Sequence, residues 1–180
     1  GSGGSKRLNK IVEGCIKDLL KRYRVLHQTG DAKQSDDYKR LSLFADSLPD
    51  IYKNRYFLRK FIDPSQVGAI MQEASLVVSR SGINTVTELI YFGKPSLLIP
   101  LSHGQSNEQV KNAHFLEKIG LAIVLFEDGL TSQSLLMQID AMMNAHQKYA
   151  NKASQAKKMI KLDAADLIIR ETYAVAKKKK

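Results

Sequence analysis

The sequence predicts an α/β fold in which a parallel sheet is flanked by helices. Three observations lead there. Short apolar runs of strand length alternate with longer runs whose apolar residues recur at helical spacing. The run 96–99 is apolar almost throughout, as in a strand buried on both faces. Glycines punctuate the junctions, at Gly30, Gly82, Gly93 and Gly120. With 180 residues, 43% of them hydrophobic and 26% charged, the chain can bury the core of one domain and little more.

Each element follows from the local pattern. Residues 6–22 carry Leu8, Ile11, Val12, Cys15, Ile16, Leu19 and Leu20 at i, i+3, i+4 spacing, which predicts a helix. A strand at 24–27 ends in Thr29-Gly30. Residues 31–48 read as helix or loop, broken by Pro49. A strand at 56–62 precedes a helix capped by Ser65 and reaching Ala74, with Val67, Ile70 and Met71 on one face. A strand at 76–79 leads to a helix at 84–92, which Gly93 stops. The buried strand 96–99 is followed by a helix at 105–119 and a last strand at 122–126. Thr131 opens a helix to about Ala145, and one long helix is expected over 149–176. In such sheets ligands bind beyond the carboxyl ends of the strands, so the turns after each strand are where function is sought.

Composition removes several function classes. The longest apolar runs are strand-length, too short for a membrane helix. The first residues are Gly, Ser and Lys-Arg without the apolar core of a secretory signal. The single Cys15 falls on an apolar helix face and reads as buried filler, and the cytoplasm is the expected compartment. The net charge of +10 and the closing Lys177 to Lys180 suit an anionic partner: phosphates or an acidic membrane surface. No aromatic RNA-binding signature or zinc spacing is present, so nucleic acid is not expected as a partner. His27 and His103 fall in turns after strands, and His114 and His146 in helices. The four form no metal-ligand pattern and are read as structural.

Two stretches carry chemistry. The opening "GSGGSKRLNK" is a glycine-rich loop leading into a helix, a form that lets backbone N–H groups approach a phosphate. Such loops normally follow a strand. Either the opening Gly-Ser residues are a cloning scar, or the chain begins inside a larger protein and the loop is a working one; the second is the reading taken. "SRSGINTVTEL" places Arg80, Ser81 and Gly82 in a turn before a helix, with Thr85 and Glu88 on its first turns. The turn offers N–H groups and a guanidinium to an anion. Glu88 offers two acceptor oxygens, which suit a vicinal diol. The plain alternatives are a capped helix, a solvated Arg and a dipole-favoured Glu.

"GSGGSKRLN", "HQTG", "FID", "SRSGINTVTEL", "GKPSLLIPL" and "NEQVKNA" occur in this order along the chain. The ordered set resembles the C-terminal, donor-binding half of the MurG-type UDP-N-acetylglucosamine (UDP-GlcNAc) transferases, which convert lipid I to lipid II in peptidoglycan synthesis. The resemblance implies a Rossmann-like domain over 1–176 with a basic tail at 177–180, the second half of a two-domain GT-B glycosyltransferase. It implies UDP-GlcNAc as donor and transfer with inversion at the anomeric carbon. An N-terminal domain outside this chain would hold the lipid-linked acceptor and the catalytic base, so this chain alone is expected to bind but not turn over. The family's strand before the glycine-rich loop is also missing, which predicts a gap in the sheet. The full protein is expected on the cytoplasmic face of the membrane, with no cofactor and no obligatory metal.

The resemblance also assigns residues. Arg80, Ser81, Gly82 and Thr85 would lie beside the donor, and Glu88 would take the ribose hydroxyls. Phe61 and Ile62, expected at the end of the strand 56–62, would flank the uracil, although Phe61 as plain core stays open. Gln109 would contact GlcNAc hydroxyls. Glu108 stands where the family often has a second Gln and would also contact the sugar: its carboxylate can accept from sugar hydroxyls but cannot donate, and it would sit unfavourably near a diphosphate. Ser2 and Gly3 would approach the diphosphate, and Asn112 reads as structural. Two other readings stay open. One is the donor-binding subunit of the two-chain UDP-GlcNAc transferase of the dolichol pathway. The other is a non-catalytic basic module, indifferent to UDP.

Overall fold

The computed structural model describes residues 3–31, 36–101, 107–158 and 163–177. Its elements are α1 (Lys6–Arg22), β1 (Val25–Gln28), α2 (Asp37–Asp46), α3 (Asp50–Lys53), β2 (Tyr56–Arg59), α4 (Pro64–Glu73) and β3 (Val77–Ser79). There follow α5 (Ile83–Phe92), β4 (Ser96–Leu98), α6 (Glu108–Lys118), β5 (Ala122–Val124), α7 (Ser132–Asn144), α8 (His146–Lys157) and α9 (Ala164–Lys177). Every strand pairing is parallel, as the strand–helix alternation predicts.

The strands form two sheets, β1–β2 and β3–β4–β5. Among the described residues no ladder joins β1 to β3. The hydrogen bonds show which way each free edge faces. Val77 N–H donates to Pro95 and Ser79 carbonyl accepts from Ile99, so Val78 turns its backbone groups away from β4. Val25 and Thr29 N–H donate to Arg55 and Arg59, which leaves Leu26 and Gln28 facing away from β2. Leu26 and Val78 are correspondingly exposed, at 39% and 38%, although each is mid-strand. The expected gap in the sheet is thus a division between β1 and β3.

Two helical layers cover the strands, and β4 shows why. Leu97 and Leu98 are both fully buried but point to opposite faces. Leu97 joins a core with Ile16, Leu20, Leu41, Leu58, Leu135 and Met142, from α1, α2, β2 and α7. Leu98 joins a second core with Leu89, Leu116 and Ala153, from α5, α6 and α8. The first core holds side chains of both sheets, so α1 and α7 bind the two sheets together. Cys15 is buried there, and burial pushes its thiol up to about 11, which makes it inert filler.

Several boundaries differ from the sequence expectation. β2 ends at Arg59, not Ile62. Two further bonds, from Thr29 and Gly30 N–H to the Arg59 and Lys60 carbonyls, close the pairing, and the chain then turns into α4. Phe61 and Ile62 therefore lie in a loop. Asp63, not Ser65, caps α4: its carboxylate accepts from Ser65 N–H and Oγ–H, and Pro64 fills the first helical position. The expected single C-terminal helix is two, α8 and α9, with turns at Lys158 and Asp163. The short α3 after Pro49 carries no sequence signal strong enough to read.

His27 sits inside β1 rather than in a turn, and it is buried. Asn9 Nδ2 donates to the Thr29 carbonyl and to Asp37, so its Oδ1 must accept from His27 Nε2–H at 3.1 Å. His27 Nδ1 then accepts from Tyr56 OH at 3.0 Å. Both ring nitrogens are used by a neutral imidazole. Burial lowers its pKa to about 4; Asp37 opposes this with a smaller raising effect, and Arg40 adds a lowering one.

The unfolded chain binds a proton at His27 near pH 6.5 and the folded chain only near 4. Stability is therefore full at neutral pH and falls as the pH drops through that window, by on the order of 3 kcal/mol. Urea midpoints taken between pH 7 and 4.5 should fall, and His27→Gln should lower the midpoint at pH 7 while flattening the decline. A second expectation concerns Gly93, which ends α5 with φ +62. A Cβ there would meet Lys157 Cε at 2.7 Å and Ala153 Cβ at 3.0 Å. Gly93→Ala should cost about 1–2 kcal/mol in urea unfolding from backbone strain alone.

Candidate functional site

The turns after β3, β4 and β5 converge on the amino end of α1. Arg80, directly after β3, is the centre. Its Nη1 donates to the Ile99 and Pro100 carbonyls at 3.0 and 3.4 Å, beyond β4. Its Nη2 donates to Ser5 Oγ at 3.1 Å and to Glu127 Oε2 at 3.0 Å. Arg80 and Glu127 are only 17% and 15% exposed, so the ion pair is well shielded from water. Arg7, in the first turn of α1, donates to the Glu127 carbonyl and adds longer ion pairs to Glu127 and Asp128. The sequence reading expects Arg80 to offer a free charge to a ligand. Instead its charge is matched by Glu127, and its donors bind three segments together.

Below that clamp, α5 begins without a side-chain cap. Its N-cap is Gly82, which has no side chain to offer. The first intrahelical bond runs from Val86 N–H to the Gly82 carbonyl, so the N–H groups of Ile83, Asn84 and Thr85 precede the helical ladder. A Cβ at Gly82 would meet nothing within 4 Å, so the approach to these donors is open. Thr85 and Glu88 are half-buried and one turn apart on the same helix face.

Ser81 differs from its expected role. It is fully buried, and its Oγ donates to the Gln109 carbonyl at 2.7 Å. Asn112 Nδ2 donates to the Ser81 carbonyl at 3.1 Å, which bears out a structural Asn112. Gln109 Oε1 accepts from Leu101 N–H at 3.1 Å, so this side chain closes the segment between β4 and α6. The turn after β3 and the first turn of α6 are thereby locked together. Glu108 is exposed at the start of α6, whose N-cap Asn107 holds φ +53 and makes no side-chain cap.

Phe61 is 48% exposed in the loop after β2, with Lys60 Nζ 5.8 Å from its ring centre. It is a surface aromatic at the carboxyl end of the sheet, not core, and Ile62 beside it is half-buried. Gly3 is exposed in a turn ahead of α1, and Gly4 follows with φ +63, a conformation that favours glycine. Ser2 and His103 lie outside the described residues.

The structure thus brings Gly3, Arg80, Ser81, Gly82, Thr85, Glu88 and Gln109 to one end of the sheet, through the hydrogen bonds above or through shared elements. Phe61 and Ile62 are at the same end but on the other sheet. Sequence reading missed Glu127, Ser5 and Arg7. A signal existed: Glu127 and Asp128 follow β5 as Arg80 follows β3, and a shielded arginine at a sheet end requires a carboxylate.

Residues 1–168 match the glycosyltransferase family 28 C-terminal domain. Among similar proteins is a UDP-N-acetylglucosamine–N-acetylmuramyl-(pentapeptide) pyrophosphoryl-undecaprenol N-acetylglucosamine transferase of Clostridium perfringens strain 13. It is 34% identical over 164 residues, 87% of this chain and 41% of the relative. The transferase of the same name from Listeria monocytogenes is 32% identical over 179 residues, 98% of this chain and 47% of the relative. The chain therefore spans less than half the length of these curated relatives. The crystal structure of Acinetobacter baumannii MurG has the same fold, with a TM-score of 0.74 at 24% identity over 94% of this chain and 46% of that one. Spinosyn forosaminyltransferase SpnP also shares it, with a TM-score of 0.61 at 16% identity over 96% of this chain and 41% of that one. The match over nearly the whole chain, on an α/β fold of parallel strands flanked by helices, makes this protein a member of the glycosyltransferase family 28 C-terminal domain family.

Proposed function

We propose that this chain binds UDP-GlcNAc as the donor half of an inverting transferase that converts lipid I to lipid II. The observation that carries the reading is the uncapped amino end of α5, with Glu88 one turn further on the same helix. A diphosphate is met by N–H groups and the positive end of the helix dipole. A ribose one turn away meets a carboxylate with two acceptor oxygens. The relatives named above carry the same transferase name, which supports the donor and the acceptor.

In this reading each residue has a separate task. The N–H groups of Ile83, Asn84 and Thr85 and the Gly3–Gly4 turn stabilise the negative charge that grows on the departing UDP. Arg80 acts by holding these turns in register rather than by touching the phosphates. Gln109 faces the sugar with its amide group, and Phe61 offers a flat apolar face to uracil. The base that activates the acceptor hydroxyl lies on a separate domain, as does the lipid-binding surface. The full enzyme works on the cytoplasmic face of the membrane, and the basic charge of this half favours an anionic surface. Charge on the leaving group is balanced by helix dipoles and N–H groups, with no obligatory metal.

Calorimetric titration with UDP-GlcNAc and UDP tests the reading. Glu88→Ala should weaken both by roughly tenfold, the loss of a charge-assisted hydrogen bond. Unchanged affinity in that variant, with the fold intact by circular dichroism, would remove the ribose role. Affinity should also be the same in excess EDTA as in millimolar magnesium. A chelator-dependent loss would show that a metal completes the diphosphate site.

A further inference from the structure

A second concave surface lies at the opposite end of the β3–β4–β5 sheet, against the amino ends of β3 and β4. It has a volume of about 340 Å³. One wall is a single face of α8, presenting His146, Ala150, Ala153 and Lys157 at spacings of four, three and four. The other wall is the passage from α5 into β4, where Phe92, Gly93, Lys94 and Pro95 line it. The lining carries three basic side chains and, among the described residues, no carboxylate.

Two of the three, both lysines, lie close together, and one of them is held in place. Lys94 Nζ donates to the Gln72 carbonyl at 2.7 Å, which fixes its ammonium at the exit of α4. The Lys157 stem lies across Gly93, the residue next to Lys94, close enough that a Cβ on Gly93 would collide with it. No described carboxylate forms an ion pair with either lysine. Burial lowers the pKa of Lys94, and the charge of Lys157 lowers it further. Helix α8 has no acidic residue anywhere along it, so nothing on that wall offsets the repulsion. Like charges held together without a counter-ion are what an anion site looks like before its anion arrives.

The rest of the groove defines what the anion is attached to. Between Lys157 and His146 the α8 wall is Ala150 and Ala153, opposite Phe92 and Pro95. His146 lies eleven residues before Lys157, about 16 Å along the helix. We propose that this groove is a second ligand site, which takes a phosphate monoester between Lys94 and Lys157. The organic body would lie along the apolar floor, in the direction of His146. The site is separate from the donor turn at the carboxyl ends of the strands and does not depend on the donor reading.

The test uses the whole chain, labelled with nitrogen-15 and titrated with glucose 1-phosphate, with uncharged glucose as the control. The amides of Gly93 and Lys94 should shift and saturate in the millimolar range, and glucose should leave them unmoved. Lys157→Met should weaken this binding by about tenfold, the effect of one charge-assisted hydrogen bond. Lys148→Met, on the same helix but outside the groove, should leave it within about twofold and so controls for net charge. Lys94→Met also removes the bond that closes α4, so Lys157→Met is the deciding variant. Phosphatidic acid vesicles, set against phosphatidylcholine vesicles, separate the two sources of the same chemistry. Displacement of the sugar phosphate assigns the site to a lipid headgroup, and no displacement to a free phosphate ester; either outcome sustains the site. The proposal is overturned if Gly93 does not shift, if the shifts are confined to Gly82 and Thr85, or if Lys148→Met costs as much as Lys157→Met.

Discussion

The Arg80–Glu127 pair is the contact on which the candidate site depends. It joins the ends of β3 and β5, and the same guanidinium reaches past β4 and onto the cap of α1. Short strands make this necessary. β3, β4 and β5 are three residues each, so their backbone ladders alone hold the following turns loosely. A guanidinium with donors in a fixed fork can satisfy carbonyls on several segments at once. Partial burial strengthens each of those bonds and makes the loss of either partner costly.

The helix ends divide structural from chemical work. Ser5, Asp63 and Thr131 cap α1, α4 and α7 with their own side chains, which uses up donors that would otherwise attract an anion. At α5 and α6 no side chain does so. These two helices follow β3 and β4, at the end of the sheet where α/β proteins place ligands. At α6 the acidic Glu108 sits in the first turn and competes for the dipole. Of these two, α5 is the one whose amino end is both open and free of a carboxylate in its first turn.

The division of the sheet has a mechanical consequence. Two ladders that share no hydrogen bond among the described residues are held together by side-chain packing, chiefly α1 and α7 over Leu58 and Leu97. The buried Asn9–His27–Tyr56 network and the Asn9–Asp37 bond add polar connections from α1 to β1, β2 and α2. On the β3 side the corresponding link is Ser5 to Arg80. Helix α1 therefore touches both sheets through its first two turns, and its position sets the relation between the loop with Phe61 and the turn at Gly82.

The alternation of strands and helices, the parallel sheet, the stripe of α1, the buried strand at β4 and the glycine stop after α5 were all legible along the chain. Each is a local matter: periodicity, propensity and a backbone angle that favours glycine. So was the turn Arg80 to Gly82 with Thr85 and Glu88 behind it, because a strand end, a turn and a helix start are adjacent in sequence. What the sequence could not show is where side chains on distant segments spend their hydrogen bonds. Ser81 looked like a ligand contact and is buried against Gln109; Arg80 looked like a free charge and is held by Glu127, 47 residues away. His27 looked like a loop residue and lies in a strand between Asn9 and Tyr56. The sequence by itself determined the fold class and the end of the sheet on which to look, since both follow from local pattern. Only the tertiary structure decided which polar groups remain open to a ligand, because that depends on partners the chain brings together only by folding.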